Sequence, residues 1–70
     1  MRYEFIDDDK VVVIASSLYT ADDVYKWLEV VEWCNLHNCV ECSKGLLVFG
    51  IRHYRFPSDE VRTWFILRWT

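Results

Sequence analysis

Residues 46–69 read LLVFGIRHYRFPSDEVRTWFILRW. The odd positions Phe49, Ile51, Val61, Phe65, Leu67 and Trp69 are apolar, and the even positions carry Arg52, Tyr54, Arg62, Trp64 and Arg68. Side chains of a strand alternate between faces, so this parity predicts two strands, residues 46–56 and 61–69, with one greasy face and one Arg/aromatic face. Pro57-Ser58-Asp59 is a good turn sequence. A connection of odd length keeps residues of like parity on one side, placing Arg52 and Tyr54 with Arg62 and Trp64. A competing parse takes Ser58-Asp59-Glu60-Val61 as the cap of a C-terminal helix. The β-branched and aromatic content of residues 61–69 favours the strand.

Upstream, Arg2–Ile6 and Val11–Ala15 read as a hairpin across Asp7-Asp8-Asp9-Lys10. The acidic run reads as a solvated turn, since it lacks the glycine and distal glutamate of an EF-hand loop. Thr20 is the expected N-cap of a helix over Ala21–Leu36, with Asp22 and Asp23 at its positive end. At roughly 100° per residue, Val24, Trp27, Leu28, Val31 and Cys34 form its core stripe. Trp33 falls about opposite, beside Val30, His37 and Lys26, either covered by another segment or facing solvent for a partner. Residues 38–45 read as a loop. The order β-β-α-β-β predicts a single α+β domain spanning residues 1–70: a four-stranded, mainly antiparallel sheet with one helix on one face.

A chain of 70 residues has little interior, so its core is marginal without a metal, a disulfide or a partner subunit. Yet 53% of the residues are hydrophobic and 17% aromatic, which excludes disorder and leaves more rings than a small core hides. Exposed rings mark interfaces. The net charge is −3, unevenly spread. Residues 1–44 hold four cationic against nine acidic side chains, whereas residues 45–70 hold four arginines against two acids. That balance is too acidic for a general nucleic-acid binder. No apolar run approaches the roughly 20 residues that span a bilayer, and no signal peptide opens the chain. The three closely spaced cysteines do not form a secreted disulfide framework, so a cytoplasmic protein is expected.

Cys34, His37, Cys39 and Cys42 are the candidate metal ligands, because tetrahedral zinc takes four sulfur and nitrogen donors and Cys39-x-x-Cys42 has knuckle spacing. His53 is a possible substitute. Four ligands within nine residues nevertheless depart from sites that clamp two separated elements, and the bland alternative is Cys34 in the core with two ordinary thiols. A Cys39/Cys42 redox pair lacks a thioredoxin-type context. Catalysis is not expected: no nucleophile elbow, no sheltered carboxylate pair and no phosphate-cradling loop is present.

The expected function is therefore a small non-enzymatic protein-binding module without a cofactor. It is comparable in size and character to phage-type inhibitors or adaptors that occupy a surface of a larger host or defence protein. Its contact residues would be Arg52, Tyr54, Arg62, Trp64 and Arg68, with Trp33 as a second site. A homodimer is a further expectation, since arginine-rich and acidic patches complement each other reciprocally. The alternative is a zinc-stabilised module, nucleic-acid associated, built on the cysteines.

Overall fold

The computed structural model describes residues 1–42 and 50–70. Its order is β1 (Arg2–Ile6), β2 (Val11–Ala15), α1 (Ala21–Leu36), β3 (Val40–Glu41), β4 (Ile51–Arg55) and α2 (Asp59–Trp69). The four strands make one antiparallel sheet in the order β1-β2-β4-β3. The fold is α+β with a four-stranded sheet. Among the described residues there are two helices rather than one, and the fourth strand is the short β3. Residues 46–49 of the expected third strand and 43–45 of the expected loop lie outside the described residues.

The hairpin register runs from Arg2 opposite Ala15 to Ile6 opposite Val11. Its turn is tight because Asp7, Asp8 and Asp9 all adopt left-handed backbone, with φ of 55°, 56° and 62°. Aspartate, with its short polar side chain, is among the few non-glycine residues that visit this region readily. The Lys10 N–H donates to the Asp7 carbonyl at 3.1 Å, and the Asp7 carboxylate meets Arg55 at 2.8 Å. The acidic run is thus a turn, tied to β4.

The expected strand over residues 61–69 is helical, which is the main correction to the sequence reading. Val61, Phe65 and Trp69 are all odd-numbered, but they are also four apart, so they satisfy the helical period as well as the strand alternation. Local chemistry decides between the two. The Ser58 hydroxyl accepts from the Val61 N–H at 3.3 Å. Asp59 and Glu60 occupy the first turn and Arg68 the last, the arrangement favoured by the helix dipole. Leu67, inward in a strand, is 79% exposed.

The second correction follows from the first. Register places Tyr3 opposite Ile14 and Phe5 opposite Val12, and Tyr54 opposite Val12. These side chains share one sheet face, and both helices pack on it. Phe65 of α2 is fully buried. Its ring lies 5.4 Å from Tyr3, 6.2 Å from Phe5, 5.4 Å from Phe56 and 5.7 Å from Trp33. Helix α1 contributes Trp27, Val30 and Cys34 to the same core. Its buried stripe is rotated toward Trp33, because α2 covers that side. Val24 and Leu28, expected in the core, are 37% and 52% exposed.

Gly50 enters β4 with φ +89°. Its carbonyl accepts from the Ser16 N–H at 2.8 Å, and a Cβ there would stand 2.4 Å from the Ser16 carbonyl oxygen. Only glycine fits this close crossing.

Candidate protein-binding groove

The Arg/aromatic set expected on one sheet face is divided by the fold. Tyr54 is 2% exposed, within the core. Arg52 stands beside Tyr54 on β4 and pairs with Glu41 of β3 at 3.4 Å. Arg62 pairs with Asp59 one turn earlier on α2 at 4.0 Å. The remaining two, Trp64 and Arg68, come together with Trp33, the expected second site, where α1 and α2 lie side by side.

There the helices leave a groove lined by Trp33, His37, Trp64, Leu67 and Arg68. Trp33 and His37 are one turn apart on α1, and their rings stack at 3.9 Å with 20° between planes. The His37 ring is held by its Nδ1, 2.8 Å from the Trp33 carbonyl oxygen. A carbonyl only accepts, so Nδ1 carries the proton in this contact. The Trp64 and His37 rings meet at 6.1 Å and 74°, the edge-to-face geometry that aromatic quadrupoles prefer. Behind this wall, the Trp33–Phe65 contact anchors the groove to the core.

The outer side belongs to α2. Trp64 is 45% exposed, and Leu67 projects almost fully into solvent. The Arg68 guanidinium carbon lies 4.7 Å from the centroid of the Trp69 ring, a cation–π distance. Among the described residues Arg68 makes no ion pair, unlike Arg52, Arg55 and Arg62. The groove therefore combines aromatic faces, an aliphatic side chain and an arginine without a carboxylate partner.

His37 and Leu67 were not among the expected contact residues. The helical spacing held their signal: His37 is four residues after Trp33, and Leu67 falls between Trp64 and Arg68 on one side of α2. Reading residues 61–69 as a strand concealed it.

The candidate metal ligands are dispersed. His37 is turned to Trp33. Cys39 is buried with Cys34 in the core, where the hydrogen bond between the two thiols, then burial, holds Cys34 well above the ordinary thiol range. The same hydrogen bond draws Cys39 below it. Continuing the β3–β4 register beyond Glu41 opposite Tyr54 sets Cys42 opposite His53, and the Cys42 N–H donates to the His53 carbonyl at 2.9 Å. Alternation then puts Cys42 on the other sheet face from Cys39. Among the described residues no group of three or more His, Cys, Asp or Glu side chains is arranged to hold a metal ion.

Among the described residues, no helix is long and apolar enough to cross a membrane. Comparison with protein-family models, curated proteins and solved structures finds no match.

Proposed function

We propose that the chain is a small non-enzymatic protein-binding module that docks its partner in the α1–α2 groove. The observation that carries this reading is the stacked Trp33–His37 pair with Trp64 beside it, flanked by exposed Leu67 and by Arg68, which makes no ion pair among the described residues. Trp and Arg are the residues most enriched where binding energy concentrates. The rings are already ordered by stacking and by the His37–Trp33 hydrogen bond, so little side-chain entropy remains to be lost on association. The matching partner surface is an apolar side chain seated on the rings beside a carboxylate that meets Arg68. The partner is a larger protein, host or defence, whose surface the module occupies as an inhibitor or adaptor. The compartment is the cytoplasm, which suits three unpaired thiols.

The test uses affinity capture to identify a partner, then binding of that purified partner to wild type, Trp64→Ala and Arg68→Ala. Loss of a central anchor costs about 2 kcal/mol or more, roughly a thirtyfold weakening. Trp64→Ala is expected to reach that figure with its far-ultraviolet circular dichroism unchanged, and Arg68→Ala to remove the salt dependence of binding. A partner that binds both variants as tightly as wild type would refute the groove as its site.

A further inference from the structure

Helix α1 ends in a left-handed cap. Asn38 has φ 63°. Its N–H donates to the Asn35 carbonyl at 3.3 Å, and the Cys39 N–H donates to the Cys34 carbonyl at 2.9 Å. These are the paired 5→2 and 6→1 bonds of a Schellman motif, with asparagine in the place usually taken by glycine. The motif brings the side chains of the two residues joined by its longer bond into contact, normally as a hydrophobic pair. In this chain both are cysteines.

Covalent geometry sets a bound on their separation. The 2.9 Å hydrogen bond, one N–Cα bond and the Cα-to-carbonyl-oxygen distance together hold the two Cα atoms within about 6.8 Å, and disulfides span about 4.4–6.8 Å. Cys34 is 0% and Cys39 7% exposed, so of the two Cys39 is the residue nearer solvent. Cys42, on the other sheet face, stands apart from the pair.

We propose that Cys34 and Cys39 form a redox-active dithiol, which closes to a disulfide across the α1 cap on meeting a low-molecular-weight disulfide. The Cys39 thiolate attacks one sulfur of the reagent, breaking its S–S bond and releasing one small thiolate. Cys34 then gives up its proton to solvent, and its sulfur attacks Cys39 Sγ, breaking the mixed disulfide and releasing the second small thiolate. The chain loses two electrons and two protons, and the reagent is reduced to two thiols. This inference is independent of the groove, since it needs only the cap.

The experiment equilibrates folded protein with glutathione at graded oxidised-to-reduced ratios, quenches with acid, and alkylates the remaining thiols in denaturant for intact mass and peptide mapping. The expected result at oxidising ratios is a chain lighter by two hydrogens before alkylation, with residues 34 and 39 linked and Cys42 modified separately. Cys42→Ala should form the same link. Cys34→Ala, with its fold checked by circular dichroism, should stop at a glutathione adduct on Cys39. Full alkylation of Cys34 and Cys39 at every ratio would overturn the proposal, as would a link that uses Cys42.

Discussion

Substituting Phe65 and Leu67 separately tests the architecture at its least obvious point. Both residues are odd-numbered and apolar, so a strand over residues 61–69 would bury them on one face and make them comparably costly to change. Helix α2 separates them: Phe65 is 0% exposed and Leu67 79%. Removing a buried Phe ring to Ala costs about 3–5 kcal/mol. A chain of 70 residues has a total stability of only about 3.5–10 kcal/mol at typical per-residue values. Phe65→Ala thus removes from about a third to all of it, and is expected to lower the urea midpoint by at least a third. Phe65→Leu retains most of the volume but loses the ring contacts to Tyr3, Phe5, Phe56 and Trp33. About 1–2 kcal/mol is expected, from aromatic pair terms of about 0.5–1.5 kcal/mol that are not additive. In a domain of this size that lowers Tm by roughly 5–15 °C. Leu67→Ala, at an exposed helical position, should stay within about 0.5 kcal/mol of wild type. Urea and thermal unfolding followed by circular dichroism measure all three. A Leu67→Ala loss equal to that of Phe65→Leu would refute the helix and restore the alternating strand.

Two further outcomes follow from backbone and burial. Gly50→Ala forces a side chain onto φ +89° and a Cβ to 2.4 Å from the Ser16 carbonyl oxygen, so it should destabilise by about 1–2 kcal/mol for the conformation alone and more for the displaced strand end. A urea midpoint equal to wild type would show that this crossing is not rigid. Among the described residues the buried Tyr3 hydroxyl has no hydrogen-bond partner, and burial, then the nearby Cys34, raises its pKa. Burial first, with Glu41 next, raises that of Tyr54. Above the ordinary tyrosine value of about 10, the unfolded chain releases protons that the folded chain retains, so stability falls as pH rises. Tyr3→Phe should be about 0.5–1 kcal/mol more stable at neutral pH, since it deletes an unpaired buried hydroxyl. It should also make the alkaline decline of the urea midpoint shallower, and an unchanged decline would exclude Tyr3 as its source.

What could be read from the sequence divides along a physical line. The hairpin and α1 were legible because local signals agreed: β-branched runs on either side of an acidic turn, and Thr20, which accepts from the Asp23 N–H at 3.1 Å, ahead of a helical stretch. Helix α2 was not, because Val61, Phe65 and Trp69 fit both periods, and β propensity then outweighed a sound N-cap at Ser58. That choice propagated. With residues 61–69 read as a strand, the sheet face that carries Tyr54 goes to solvent, although it is the face both helices cover, and the core stripe of α1 runs through Leu28 instead of Val30. The candidate site was partly legible, since Trp33, Trp64 and Arg68 were singled out by residue type. Their meeting depended on tertiary packing that composition does not encode.

The second helix also explains why the chain has more aromatic residues than a small core can hold. An 11-residue helix laid on a sheet already shared with α1 buries a narrow stripe, here Val61 and Phe65 with Trp69 partly covered. The positions beside that stripe face α1 across a gap too open to bury them. A fold needing only stability would place polar residues there. This chain places Trp64, Leu67 and Arg68 there, and opposite them Trp33 and His37. The part of an apolar side chain that stays in water contributes nothing to folding, because its hydration is the same before and after. Its free energy becomes available only when another surface removes it from water. That asymmetry separates the α1–α2 groove from Tyr3, Phe5 and Phe56, which Phe65 gathers into the core.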